Sequence, residues 1–489
     1  MDILDKLIQA SSSKDELTIF LAENDNAVEL TDFFISQPYS KLINSKNRIE
    51  NYILYPGIII FNQLDFENPN EIALVSYLLD YSERFGLITE FEQLFYLHKN
   101  KNLEITRRIK AASKFLIGIT NISHYSDRIA DVLGLLKTAY LEEEDSVKPI
   151  IATGVNFYAQ VVHNFAAVNK NGVREFRANL ERQIAKEDYS FLKNDIYALA
   201  LNIEIENNVV AYCEIQSILD EYLSRKSEYL PFNQHSFLIE VGTNYVNQLQ
   251  GIDVNFRSLT NLCSQLYRQI ANDTIFNSLQ RGVAVLQEQN QMLGYMHSYG
   301  NMHYAKIVSA INDVNILENL DDYKVEIYDW GCGQGIASFI LQEFYEINNS
   351  KTVLIEPSEI CLKRASAHLR KLNPEIEITT INKDLDSLTK KDFNSQIDSL
   401  KIHLFSNILD VQSFSMEKLL ELINNGFKGN NSFVCVSPFI NSIRTNRLNN
   451  FMEAFRQNTE FKELLKVDNM SGTWQGNWSR SIRVFKTIL

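Results

Sequence analysis

Between Val325 and Gly335 the chain reads V-E-I-Y-D-W-G-C-G-Q-G. A short apolar run ends in an acid, Asp329, and Gly331, Gly333 and Gly335 then fall at alternate positions. Glycine is required where the backbone turns sharply or must approach a ligand with no Cβ in the way. The expected local structure is a strand, a tight turn and a helix start, with a small ligand over the turn. The helix expected from about Ile336 to Tyr345 aims its free N–H groups back at that turn. Two further acids end expected strands: Glu356 after the β-rich run from Thr352, and Asp384 after Ile376–Ile381. A carboxylate there can accept hydrogen bonds from two hydroxyls at once. Ser406 and Asp410 bound a fourth such end, S-N-I-L-D, after Lys401–Phe405. Asp410 either positions a substrate or caps the helix after it. His403 sits among apolar strand residues and reads as a core histidine. His303 lies in the segment just before the glycine strand and is the better candidate base. Cys332 has no basic neighbour in sequence and reads as a packing residue, not a nucleophile.

The elements that must hold these groups fall into distinct stretches. At 489 residues the chain should form two or three domains. Residues 1–60 mix helical and extended signals, and the isoleucine-rich Ile53–Phe61 allows a strand. Ser13, three residues before Glu16, has capping-box spacing. Asn68 reads as a helix cap and Gly86 as a break. Residues 61–299 read as helix after helix, with no fixed repeat. Ser227–Phe232, with Pro231, is an expected break, and Glu142–Asp145 an acidic loop. A long helix is expected from Asp273 to Gln291. Tyr295–Tyr304 then reads either as an aromatic helix end and turn or as a cap over the following ligand pocket. Residues 300–489 alternate strands and helices and should form a mostly parallel sheet covered on both faces.

Charge and cysteine usage narrow the setting. Lys and Arg number 47 against 61 Asp and Glu, a net charge of −14. Residues 301–489 carry 21 against 23, whereas residues 1–300 carry 26 against 38. A nucleic-acid binder normally presents a basic face, so the acidic helical region suits a protein partner better, and DNA is not the expected target. The five cysteines form no C-x-x-C pair, which fits free thiols in a reducing cytosol. No metal site is expected. No signal peptide or bilayer-length apolar run is present, so a cytoplasmic protein without membrane attachment is expected.

The D-W-G-C-G-Q-G turn, Glu356 and Asp384 together resemble a class I S-adenosylmethionine-dependent methyltransferase over roughly residues 300–489. The N-terminal 300 residues share no such resemblance. The resemblance implies a multidomain chain: a large mostly α-helical N-terminal region, then an α/β Rossmann-like methyltransferase domain with a predominantly parallel seven-stranded sheet. It also implies a closing antiparallel pair, for which Gly472–Leu489 is available. S-adenosyl-L-methionine is the implied cofactor. Gly331, Gly333 and Gly335 would approach its methionine part, with Asp329 organising the turn or the charged amine. Glu356 would take the ribose hydroxyls, Asp384 or its neighbour the adenine amine, and Ser406 would add a contact. A nicotinamide dinucleotide domain is the main rival, but it prefers G-x-G-x-x-G. Enzymes that methylate an exocyclic base amine commonly carry N/D-P-P-Y/F/W where this chain has Ser406-Asn-Ile-Leu, a departure that argues against that activity on DNA. Protein, RNA and small molecules stay open as substrates. The alternative is a helical interaction scaffold whose domain binds the donor with weak or absent catalysis.

Overall fold

A computed structural model of the chain describes residues 2–37, 39–142, 147–224, 243–312, 314, 324–347, 350–411, 414–439, 442–458 and 460–489. The expected break at Ser227–Phe232 and most of the acidic stretch 142–145 lie outside the described residues. The chain forms two compact units, Met1–Lys226 with Ile440–Asn446 and Ser227–Phe439 with Arg447–Leu489.

Among its described residues the first unit contains helices and turns and no strand. Ser13 caps the Lys14–Ala22 helix by accepting from the Glu16 N–H. Asn68 caps Pro69–Phe85, which ends on left-handed Gly86 as the glycine's position suggests. Ile53–Phe61 is helical, not extended, with Pro56 in the wide turn Ile53–Gly57. One core runs from Ile3 to Tyr222. At its centre lies Val147–Phe165, buried at every residue from Ile150 to Val162. A helix apolar on all sides must be enclosed by others. Among the polar groups inside, Arg108 bonds Asp80 and Glu83 at 2.6 and 3.1 Å, and Asn156 donates to the Glu83 carbonyl at 2.8 Å.

The second unit is built on a seven-stranded sheet: β1 Val325–Trp330, β2 Ser350–Ile355, β3 Glu377–Ile381, β4 Leu400–Ser406, β5 Asn430–Ser437, β6 Lys462–Asn469 and β7 Arg480–Ile488. Their order is β3-β2-β1-β4-β5-β7-β6. β1 to β5 are parallel, and β7 runs antiparallel to both β5 and β6. This is a Rossmann-like, mostly parallel sheet, and it follows a large helical region in sequence. The antiparallel pair begins at Lys462, earlier than Gly472, and Gly472–Ser479 belongs to the connection between its strands. β1 is buried at all six positions, as a central parallel strand must be.

The core of this unit includes Tyr245, Phe256 and Met296 as well as the strands. The stretch expected as one helix from Asp273 to Gln291 is instead a short helix, Asp273–Ser278, a turn, and then the helix Gln289–Ile311. That last helix passes unbroken through residue 300, so the helix end and turn expected within Tyr295–Tyr304 do not form. The reason is packing. A Cβ at Gly300 would lie 3.0 Å from Thr260 Cγ2, so glycine here lets Phe256–Arg268 approach closely and does not mark a turn. Among the described residues no helix is long and apolar enough to cross a membrane.

Candidate active site

The strand order reverses between β1 and β4, which is where open α/β sheets form a crevice at their carboxyl ends. The glycine turn follows β1 and the Ser406–Asp410 turn follows β4, so the two stand side by side across that point. They touch: a Cβ at Gly331 would meet Ile408 Cδ1 at 3.0 Å.

Three glycines in the turn have positive φ, +65° at Gly331, +50° at Gly333 and +73° at Gly335. Their surroundings differ. A Cβ on Gly335 would come within 2.9 Å of Ala365 Cβ, so this glycine seats the turn against the Glu359–Leu372 helix. A Cβ on Gly333 would meet nothing within 4 Å. Gly333 therefore presents bare backbone to open space, the arrangement a ligand needs for close approach.

Asp329 is 1% exposed, and its Oδ2 accepts from the Ser338 N–H at 3.1 Å and the Ser338 hydroxyl at 2.6 Å. Gly335 at the helix start has no side chain to cap with, so Asp329 does this from the end of β1. Burial raises its carboxyl to about 6, against the pull of these two bonds. Glu356 follows β2 and accepts from the Gly333 N–H and the Ser358 N–H, each at 3.1 Å. Burial raises its carboxyl to about 7, with the two amides opposing and Asp329 adding to the rise. Asn382 ties the end of β3 to this place by donating to the Glu356 and Pro357 carbonyls at 3.0 and 2.8 Å. Asp384 stands at the same edge and accepts from the Ser387 N–H at 2.7 Å, capping a short turn. Ser406 closes β4, its hydroxyl accepting from Asn407 Nδ2 at 3.2 Å.

His303 is buried beside this turn. Its Nε2 pairs with the Tyr295 hydroxyl at 3.0 Å and its Nδ1 with Asn407 Nδ2. The amide nitrogen can only donate, so the ring proton sits on Nε2 and is given to the Tyr295 oxygen. Burial, helped by Lys306, lowers the imidazole to about 3, so it is neutral. Both ring nitrogens are occupied, and the ring holds Asn407 in place. Asp410 does not cap the helix after it, because Ser415 caps Met416–Gly426. Asp410 is 5% exposed and its Oδ1 has no hydrogen-bond partner. Met292, Leu279 and Leu286 pack on Cys361, and Ser358 Oγ donates to the Leu286 carbonyl. This segment roofs the end of β2.

Trp330 lies behind the turn. It is fully buried, stacks on Phe405 at 5.5 Å and donates to His403 Nδ1 at 3.2 Å. His403 passes its own proton to Asn431 Oδ1 at 3.0 Å, which makes it a satisfied core histidine. Cys332 is buried, and burial holds its thiol well above the usual range, so no thiolate is available.

Sequence reasoning missed Asn407. Its φ of +56° is a signal of sorts, since asparagine visits this region more readily than most residues. It also missed a chain behind the glycine turn. The Gln334 carbonyl can only accept, so His368 Nδ1 donates to it at 3.0 Å. Burial lowers His368 to about 3, so its Nε2 is free to accept from the Tyr245 hydroxyl at 2.8 Å. The Cys263 thiol lies 3.4 Å from that hydroxyl, and the Arg364 guanidinium sits 3.4 Å from the Tyr245 ring centroid. Tyr245→Phe leaves a buried imidazole nitrogen without a donor, at a cost of about 1–3 kcal/mol. Urea unfolding should show that loss.

No protein-family model and no curated protein matches the chain. Solved structures with partial likeness include the plantazolicin methyltransferase BpumL in complex with a monoazolic desmethylPZN analog and SAH, at 10% identity and TM-score 0.31, covering 47% of this chain and 99% of that one. An arsenic(III) S-adenosylmethionine methyltransferase from Chlamydomonas reinhardtii gives 10% identity and TM-score 0.26, over 38% and 73%. A geranyl diphosphate methyltransferase gives 8% identity and TM-score 0.27, over 46% and 98%.

Proposed function

We propose that this chain is an S-adenosyl-L-methionine-dependent methyltransferase whose donor lies over the glycine turn. The observation that carries this reading is the pairing of Gly333 and Glu356. Gly333 offers bare backbone to open space, and its N–H is bonded to a buried carboxylate at the next strand end. A ligand with vicinal hydroxyls can take that carboxylate's remaining acceptor capacity. The donor supplies an activated methyl group on a sulfonium. Gly331, Gly333 and Gly335 would line its methionine part, Glu356 its ribose, Asp384 or Asn382 its adenine, and Ser406 the reacting end. Asp329 acts through Ser338 by fixing the helix start that closes the turn. His303 and Asp410 are the groups assigned to the acceptor side, with His303 orienting Asn407. Because the methyl group is already activated, alignment of the nucleophile is the main task left to the protein.

The part of the acidic helical region 61–299 that lies in the first unit, with 1–60 packed against it, is assigned recognition or docking of a protein partner. The five free thiols support a reducing, cytoplasmic setting.

Calorimetric titration with S-adenosylmethionine, followed by transfer of labelled methyl to a cell lysate, tests the assignment. Wild type should bind and transfer. Asp329→Ala should lose about 1 kcal/mol of stability with its cap and bind the donor more weakly. Donor binding without transfer would favour the scaffold reading. Binding of a nicotinamide dinucleotide in place of the sulfonium would sink the methyltransferase reading.

A further inference from the structure

The first unit carries a groove that has no part in the chemistry proposed for the second. It encloses about 420 Å3 between the short helix Ile58–Phe61 and the helix Ile88–Asn100. Ile58 and Asn62 line it from the first side, and Glu92, Tyr96 and Leu97 from the second. Both sides follow helical spacing. Ile58 and Asn62 are four residues apart, and Glu92 and Tyr96 continue a stripe that begins at Ile88. The apolar members of such a stripe are ordinarily covered by a neighbouring helix, but here they face solvent. Ile88 is 37% exposed, Tyr96 44%, and Ile59, beside Ile58, 48%. Apolar exposure grouped around a groove and rimmed by polar groups marks an interaction surface. Asn62 belongs to that rim. Its Nδ2 donates to the Ile58 carbonyl at 2.8 Å, which fixes the amide and leaves its oxygen to accept. The charge of the unit is also segregated. Residues 1–100 hold 16 Asp and Glu against 7 Lys and Arg, whereas residues 101–226 hold 17 against 16. The groove is formed wholly by the acidic portion, and Glu92 is the one charged residue lining it among the described residues. Lys99 has its Nζ 6.0 Å from the Tyr96 ring, so that ring already accepts a cation on one face.

We infer that this groove docks an amphipathic helix of a protein partner, its apolar residues on Ile58, Tyr96 and Leu97 and a lysine or arginine on Glu92. This rests on the docking role proposed for the first unit and names its surface and the partner's chemistry. Two helices with a furrow between them take a third by ridge-into-groove packing, and an amphipathic helix brings the apolar face that the furrow leaves uncovered. A basic side chain suits the mixed lining. Its methylene stem lies along the apolar side chains while its charged end reaches the carboxylate. An acidic segment would set like charge on Glu92 and enter a surface already short of cations. A nucleic acid meets the same repulsion. The apolar contacts supply the affinity, and Glu92 selects the sign of the partner.

Fluorescence anisotropy of the full chain with two labelled amphipathic peptides tests this. Each has about 15 residues, enough for a helix to form on the groove, one built of Leu and Lys and the other of Leu and Glu in the same pattern. The Leu/Lys peptide should bind wild type at least ten-fold more tightly than the Leu/Glu peptide. Tyr96→Ala should weaken it at least ten-fold and Glu92→Lys at least five-fold. Asp25→Lys makes the same kind of charge change at an exposed acid outside the groove and should stay within two-fold. All three positions are at least partly exposed, so thermal midpoints near wild type should show that the variants are folded. Wild-type affinity in both Tyr96→Ala and Glu92→Lys overturns the groove and leaves the docking role standing, because the peptide is then held elsewhere. Equal weakening by all three variants overturns the groove too, since the attraction is then spread over the acidic surface. A wild type that binds neither peptide, or prefers the Leu/Glu one, removes the docking role together with the groove.

Discussion

Glu356→Ala is expected to weaken S-adenosylmethionine binding by about 100-fold. Hydrogen bonds to a charged group contribute about 1.5–3 kcal/mol, and 1.4 kcal/mol is a ten-fold change in affinity. The same substitution frees the Gly333 and Ser358 amides that now point at the carboxylate. Glu356→Gln should fall between, because its amide oxygen still accepts but carries no charge. Titration calorimetry of the three proteins at one pH checks the order, and equal affinities would remove Glu356 from the site. The carboxyl also sets a pH dependence. Burial raises it from 4.5 to about 7. Between those values the unfolded chain is ionised at this position and the folded chain is not, so the folded state holds the extra proton. Stability of the ligand-free protein therefore falls as pH rises through that window. Asp329, raised from 3.8 to about 6, contributes in the same direction. Donor affinity runs the other way. Hydroxyls need an ionised acceptor, so binding should tighten as pH rises through about 7. In Glu356→Gln that part of the pH dependence should vanish.

The second large effect separates two glycines only two residues apart. Gly335→Ala must place a Cβ 2.9 Å from Ala365 Cβ while holding φ at +73°. Left-handed backbone costs an alanine about 1–2 kcal/mol and overpacking about 1–3 kcal/mol, so a loss of about 2–5 kcal/mol is expected. Gly333→Ala meets no atom within 4 Å and carries only the backbone term. It should stay folded with a modestly lower unfolding midpoint, yet lose donor affinity at least ten-fold, because its methyl enters the space the ligand needs. Urea denaturation and donor titration on both variants decide the matter. Wild-type affinity in Gly333→Ala would mean that no ligand approaches this backbone.

The difference between these glycines also marks how far the chain can be read without its fold. All three fall in the motif, and their alternate spacing alone says that the backbone turns. Which one seats a helix and which one faces open space depends on Ala365, thirty residues on. The strand ends carrying Asp329, Glu356 and Asp384 were legible because apolar runs and their terminal acids are local patterns. So were the Ser13 and Asn68 caps and the glycine break at 86, since cap chemistry acts within a few residues.

Other features required long-range contacts. Tyr295–Tyr304 could be read as a helix end and turn or as a cap, but Thr260 across a helix pair makes Gly300 a point of close approach within one helix. Trp330 stands next to the glycine turn in sequence, yet Phe405 and His403 enclose it behind that turn. His303 carried the right residue type for a base, yet Tyr295 and Asn407 occupy both nitrogens. The sequence by itself determined a strand, a glycine turn, a helix and acids at successive strand ends, because φ preference and hydrophobic period are properties of short segments. Only the tertiary structure decided which atoms those groups spend on one another and which oxygens, at Asn407 and Asp410, are left over. Hydrogen-bond saturation is a property of the packed interior, and no local pattern encodes it.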